Sequence, residues 1–301
     1  MEQKGRQRGG AAEVVFVNGA FLPAHEASIS VFDRGFTYGD GLFETMRVYG
    51  GRPFALDRHL ARLGAGLEAL LLPPLGDNAN IEETIGELLR LNRLDEGDAS
   101  IRLTVTRGID YGGLVPDREP EPSTVIVARS IDTAAIRQWQ ERGVAAALVK
   151  GRPPSLAHVK TLNYLPHLFA KMEAVKRGAA EGLFVENGCV TEGATSNLFA
   201  FAGGRLRTPP ADGSLLAGVT RGIIRELAAR EAVPLDESPL PVEELLKSEE
   251  VFISNSLLEI VPLAEIDGTP IGRGSDFPVT GRFQSAYREL TLRERRAENS
   301  R

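Results

Sequence analysis

Lysine is scarce in this chain, with six against 29 arginines, and one of the six, Lys160, stands in the segment His158-Val159-Lys160-Thr161-Leu162-Asn163-Tyr164. That segment falls between a strand-like run and a helix-like one, where a partly desolvated amine is placed for covalent chemistry at carbonyl carbons. A solvated surface lysine is the plain alternative. Thirty-two positions on, VTEGATSNLF carries the carboxylate Glu192 into a strand after a tight turn, with Ser196 and Asn197 before an apolar run. Then LLAGVTRGII sets Gly218 ahead of Val219 and Thr220. A glycine-led turn there presents backbone amides and a hydroxyl at a helix N-terminus, the geometry that holds a phosphate. Taken singly, these are a solvated glutamate and a helix capped by Thr220. Taken together, a Schiff-base amine, a carboxylate for a pyridinium nitrogen and an anion site are what pyridoxal phosphate requires.

The elements that must position these groups are legible as periods. Val14–Val17 reads as a strand entering a hairpin at Asn18-Gly19, and LFETMRVY (42–49) alternates, placing Phe43, Thr45, Arg47 and Tyr49 on one face. Asp57 is expected to cap a helix carrying Leu56, Leu60, Leu63, Leu67 and Leu70, with Arg58 and Arg62 four apart on one side. Asn80 with Glu83 resembles a capping box for a helix over Ile81–Leu94. SIRLTVTR (100–107) alternates as a strand, Thr124–Ala128 reads as another, and Ile131–Gly143 as a connector and short helix. Beyond it come a strand at Val144–Val149 and a helix over Asn163–Arg177, whose apolar stripe is Leu165, Leu168, Phe169 and Met172. Strands at 183–186, 189–191, 198–201, 251–254 and 260–266, a helix from Val219 and a last helix around Phe283–Leu290 complete an α+β chain.

Three hundred and one residues with 42% hydrophobic and 25% charged side chains fit a globular enzyme of about two domains, not a fibrous or disordered chain. The division expected is 13–129, a connector over 130–137, and 138–290, with 1–12 and 291–301 as frayed tails. A net charge of −6 disfavours nucleic-acid partners, and no window approaches the length of an apolar membrane span. One cysteine, Cys189, and four scattered histidines leave no zinc spacing, so no metal is expected, and the cytoplasm is the expected location. The dinucleotide fingerprint, the P-loop, H-E-x-x-H and G-x-S-x-G are all missing.

The segments RGFTYGDGLFETMRV, LDRHLARL, KTLNYLPHLFAKMEA, GLFVENGCVTEGATSNLF, LLAGVTR and FISNSLLEIVPL, in this order, resemble the class IV aminotransferases from about Phe16 to Tyr287. The resemblance implies the fold-type-IV architecture: a smaller N-terminal α/β domain and a larger C-terminal pseudo-barrel α/β domain with pyridoxal 5′-phosphate between them, in a homodimer or larger assembly. It implies that Lys160 is the Schiff-base lysine, that Glu192 keeps the pyridine nitrogen protonated, and that Tyr164 hydrogen-bonds the ring's phenolic oxygen. Arg62 in the H-x-x-R-L pattern would hold the phosphate with Val219, Thr220 and Ser256, and Leu216 would pack on the ring, whereas Arg58 would be a surface residue. Lys160 would then move a proton in a ping-pong exchange between an amino acid and a keto acid.

For the substrate, Tyr38, Phe43, Arg47, Arg102 and Tyr164 resemble the branched-chain aminotransferases. Thr45 stands where that branch has glycine, Ser100 where it has tyrosine, and Asn255-Ser256-Leu257 replaces a Gly-Thr-Ala turn. Thr45 with Arg47, and Asn255 with Leu257, resemble the 4-amino-4-deoxychorismate lyases, which release pyruvate. The Arg-x-His carboxylate trap of the D-amino-acid branch is missing, since TRGIDYGGL has Gly112, Gly113 and Leu114 there. Arg107 in that stretch is a candidate for a substrate carboxylate or a strand-end surface arginine. A transaminase of branched-chain type is the expectation, with the lyase as alternative and D-amino-acid or (R)-amine transamination behind it.

Overall fold

The fold is described from a computed structural model covering residues 13–151 and 156–298. In the first half, β1 (Val14–Val17), β2 (Ala20–Pro23), α1 (Arg34–Tyr38), β3 (Gly41–Tyr49), β4 (Arg52–Pro53), α2 (Leu56–Ala69), α3 (Asn78–Leu91), β5 (Ala99–Thr106) and β6 (Ser123–Ser130) follow in order. Their strands form an antiparallel sheet of order β2-β1-β6-β5-β3-β4. The second half runs α4 (Thr133–Arg142), β7 (Val144–Lys150), α5 (Leu165–Lys176), β8 (Glu181–Glu186), β9 (Cys189–Gly193), β10 (Asn197–Ala202), β11 (Arg205–Thr208) and α6 (Val219–Arg230). It ends with β12 (Leu235–Glu237), β13 (Leu240–Pro241), α7 (Val242–Leu246), β14 (Glu250–Asn255), β15 (Glu259–Ile266), β16 (Thr269–Pro270) and α8 (Pro278–Glu298). These strands make a ten-stranded mixed sheet, parallel where β15, β7 and β8 meet.

Each sheet has its own core. Leu42, Met46 and Val48 of β3 pack with Leu60, Leu63 and Leu67 of α2 and Ile85, Leu88 and Leu89 of α3. In the second half, Phe199, Phe252, Ile223, Phe283 and Tyr287 join β10 and β14 to α6 and α8. The halves are stitched where the lysine loop meets β3. Phe43 donates to the Lys160 carbonyl (3.0 Å), Leu162 donates to that of Gly41 (2.9 Å), and Leu42 bridges to Thr161.

Several boundaries differ from the sequence reading. The helix at 78–91 is capped by Asp77, whose side chain accepts from Ala79, so Asn80 and Glu83 make no box. Helix α2 starts from Ala55 in a left-handed conformation, and Asp57 sits in its first turn, where a carboxylate faces the positive end of the dipole. Helix α5 starts at Leu165, and its expected apolar stripe faces outward: Leu165, Leu168, Phe169 and Met172 are all at least half exposed. Ala170 and Ala174 face the sheet instead, because the helix lies so close that a Cβ on Gly182 would meet the Ala170 carbonyl oxygen at 2.6 Å. The expected tail from 291 is helical to Glu298, with Thr291 buried. Residues 1–12 and 299–301 lie outside the described set.

Candidate active site

The lysine loop, the β9 strand, the α6 N-terminus and the turn between β14 and β15 converge on one cavity of about 410 Å³. Lys160 forms part of its wall, with Nζ 4.4 Å from the centre of the Phe43 ring. Burial pulls its amine down to about 8, with the Arg62 charge acting in the same sense and Glu44 and Glu192 against it. About a tenth of such an amine is neutral at pH 7, far more than for an ordinary lysine.

Glu192 is 3% exposed. Its Oε2 accepts the Leu216 amide at 3.2 Å, while Oε1 is buried with no partner. Burial pushes the carboxyl up to about 7; the Leu216 amide and the Lys160 charge oppose that. A buried carboxylate oxygen without a donor is costly, and it identifies what is wanted there: an N–H donor, best a cationic one. A pyridinium N–H is such a donor, so the residues fit pyridoxal phosphate.

The anion end is at α6. Gly218 precedes it and no side chain caps the helix, so the Val219 and Thr220 amides have no capping partner, and both residues line the cavity; a Cβ on Gly218 would collide with Asn197 Oδ1. Asn197 holds this approach from the side, donating to the Leu216 carbonyl at 2.9 Å. Arg62, Leu216, Val219, Thr220 and Ser256 all line the cavity. Arg62 donates Nε and Nη2 to Glu44 (2.8 and 2.7 Å) and Nη1 to the Ala217 carbonyl (3.2 Å).

Tyr164 lines the wall, stacked on His167 with centroids 4.6 Å apart and edge-on to Phe43 at 5.3 Å. Its hydroxyl, pushed up to about 12 by burial, donates at 3.3 Å to the carbonyl of Ala194, which also lines the cavity. Phe43, Thr45, Arg102, Asn255 and Leu257 also line the cavity. Arg102 lies over the Phe43 ring at 3.7 Å and has no hydrogen-bond or ion-pair partner among the described residues. Asn255 closes its own turn: Oδ1 accepts the Leu257 and Leu258 amides (3.0 and 2.8 Å), and Nδ2 donates to the Thr195 carbonyl.

Three expected substrate residues are elsewhere. Arg47 is a buried clasp, donating to Asp98 (2.9 Å) and the Leu257 carbonyl (2.8 Å) and paired with Glu259 (3.0 Å). Alternation told its face but not that Glu259 and Asp98 would consume its charge. Arg107 donates to Asp40 and to the Leu70 and Leu71 carbonyls, so its fork is occupied within its own half. Tyr38 is half exposed on α1, under the Arg34 guanidinium and outside the cavity. Arg58 pairs with Glu226 at the surface, as expected. Sequence reasoning missed Trp139, His167 and Lys171 on the cavity wall and the buried hydroxyl of Ser254; it noted Ser196 beside Glu192 but gave no role to its hydroxyl, and both hydroxyls are buried without a partner. It also missed Glu44, whose signal was available: a carboxylate in register with Leu42, Met46 and Val48 on the apolar face of β3.

Known proteins with this fold define the class. The profile of the family described as Amino-transferase class IV matches residues 41–266, and the chain belongs to that family. A Methanocaldococcus jannaschii protein provisionally named branched-chain-amino-acid aminotransferase is 35% identical over 282 residues, 92% of this chain and 96% of its own. An aminodeoxychorismate lyase of Bacillus subtilis is 33% identical over 277 residues, covering 92% and 94%. A solved branched-chain amino acid aminotransferase from Escherichia coli aligns at TM-score 0.84 and 29% identity, over 93% of this chain and 94% of its own. The fold is accordingly the α+β fold-type IV, and the protein is a class IV aminotransferase. No helix among the described residues is long and apolar enough to cross a membrane, and no cluster of three or more metal-ligating side chains occurs among them.

Proposed function

We propose that this chain binds pyridoxal 5′-phosphate between Lys160, Glu192 and the α6 N-terminus and exchanges an amino group between a branched-chain-type amino acid and a 2-keto acid. The observation that carries the reading is the partnerless Glu192 Oε1, buried in the cavity that also holds the depressed Lys160 amine. When bound, the cofactor supplies an electron sink that acidifies the Cα–H of an attached amino acid.

The chain's own residues do the rest. Glu192 Oε1, buried and without a partner, would accept the ring N–H and favour positive charge on that nitrogen. Val219 and Thr220 amides, with Arg62 and Ser256, hold the phosphate. Lys160 would hold the cofactor through Nζ and, as a neutral amine, would take the substrate's Cα proton and give it back. Arg102 offers an unpaired guanidinium to a substrate carboxylate, and Phe43, Trp139, Leu257 and Leu258 supply apolar walls for a branched side chain. The apolar stripe of α5, which starts next to cavity-lining Tyr164, is read as a contact with a second copy, and the cytoplasm as the location.

A second reading, the lyase, is favoured by Asn255, whose side chain fills the turn amides that a carboxylate would otherwise use. The test is an absorbance scan of purified, cofactor-loaded protein with L-branched-chain amino acids, L-glutamate, D-alanine, an (R)-amine and aminodeoxychorismate, one at a time. Conversion of the visible band to the near-ultraviolet pyridoxamine band with a branched-chain donor supports the transaminase. Pyruvate released from aminodeoxychorismate alone, without pyridoxamine, assigns the lyase.

A further inference from the structure

The Glu44 carboxylate lies on the core face of the first sheet, 1% exposed, between Leu42 and Met46. A lone carboxyl there would be neutral, yet hydrogen bonds from His59 and Arg62 hold it down to about 2. Both oxygens are occupied: Oε1 accepts Arg62 Nε at 2.8 Å, and Oε2 accepts Arg62 Nη2 and contacts His59 Nδ1, each at 2.7 Å.

An ionised carboxylate only accepts, so Nδ1 of His59 carries its hydrogen. The other ring nitrogen, Nε2, lies 3.4 Å from Ser256 Oγ at the phosphate end of the cavity. Two arrangements follow. If Nε2 is bare, the serine hydroxyl donates to it and turns lone pairs toward the cavity, against any phosphate oxygen. If Nε2 is protonated, the ring donates to Ser256, and the hydroxyl is released to donate to the phosphate.

We infer that His59 is a positioning residue whose doubly protonated ring, braced by Glu44, turns the Ser256 hydroxyl into a donor for a bound phosphomonoester. The inference rests on the cofactor reading above and goes beyond it by assigning a proton uptake to binding. The groups facing His59 are Glu44 from β3, Arg62 from its own helix and Lys160 from the lysine loop. Burial, Arg62 and Lys160 keep the ring neutral, against Glu44. A phosphate dianion placed beside Ser256 adds negative charge and reverses that balance. The folded pKa of His59 is then higher with phosphate than without, so affinity falls as pH rises through the window between the two values.

The experiment measures the affinity of the cofactor-free protein for pyridoxamine 5′-phosphate from pH 6 to 9, for wild type and His59→Gln, with ¹⁵N-histidine spectra of both. Glutamine offers an N–H to Ser256 without titrating. Glu192 and Lys160 also titrate in this window, so the His59 proton is read as the difference between the two proteins: wild-type affinity is expected to fall more steeply than that of His59→Gln by a limiting factor of about tenfold per pH unit, the slope of one linked proton. The variant still binds, and the His59 ring nitrogens of wild type change from one protonated to both on loading. A neutral His59 in the loaded wild type, or an equal slope in His59→Gln, overturns the inference while leaving the cofactor reading intact. No binding of pyridoxamine 5′-phosphate to wild type overturns both.

Discussion

Residue by residue, the site is organised by what two buried groups lack. Glu192 has a carboxyl raised from 4.5 to about 7, so between these pH values the folded, cofactor-free protein binds a proton that the unfolded chain has lost. Its contribution to stability is fully present below 4.5 and declines as pH rises to 7, by about 3 kcal/mol at the limit. Cofactor-free Glu192→Gln should therefore melt higher than wild type at pH 8 while turnover of the loaded variant falls by orders of magnitude. Equal melting temperatures would show that burying Glu192 has no cost. Lys160 gives the second prediction. With its amine near 8, the rate at which cofactor-free protein captures pyridoxal phosphate should rise about tenfold per pH unit and level above 8. A rise continuing to pH 10 would mean an unperturbed lysine.

The Lys160, Glu192 and Val219-Thr220 series was legible because each departs from what its local pattern needs. Arg47, Arg107 and Tyr38 were not, because alternation and motif position report a face, not a partner. Arg47 is consumed by Glu259, Asp98 and the Leu257 carbonyl, brought in by other elements, whereas Arg102 lines the cavity over Phe43 with its charge unpaired.

Among the elements, β3 and α2 are coupled through one charge. Glu44 holds both His59 and Arg62, so Glu44→Gln removes the charge that pairs with Arg62 and turns one of the two accepting oxygens into an N–H donor facing other donors. The expected loss is about 3–5 kcal/mol by denaturant titration, with Arg62→Ala losing cofactor affinity besides. A change under about 1 kcal/mol in Glu44→Gln would show that the pair is relaxed by water. The hairpin at Asn18-Gly19 and the long alternating strands were readable from chemistry that acts within a few residues. Caps were less so, because Asp77 and Asn80 are both competent and backbone geometry decides between them. The α5 stripe shows the limit of periodicity, which finds an apolar face but not what covers it. If a second copy covers it, Phe169→Glu should convert a dimer to monomer in size-exclusion chromatography with light scattering, and an unchanged mass would remove α5 from that contact.

Across the molecule as a whole, two sheets change over between Ser130 and Val144 around the helix α4. We propose the boundary of the two domains at 130–137. The cavity lies where they meet: β3 supplies Phe43 and Thr45, while the lysine loop, β9 and α6 come from the second half. Arg47 of β3 grips the Leu257 carbonyl across that junction, while Gln140 of α4 holds the Leu258 carbonyl from within the second half, so the turn between β14 and β15 is set partly by the first half. No single segment carries this arrangement, which is why the resemblance to a family, and not periodicity, was needed to see that the three site segments meet.

Everything proposed for the cavity depends on one lysine out of six doing the covalent chemistry. Reduction of the cofactor-loaded protein with borohydride, followed by digestion and mass mapping, should place the phosphopyridoxyl mass on the peptide containing Lys160, with the visible band lost. Lys160→Ala should acquire no such mass. An adduct on Lys150, Lys171 or another lysine, or none at all, would overturn the assignment.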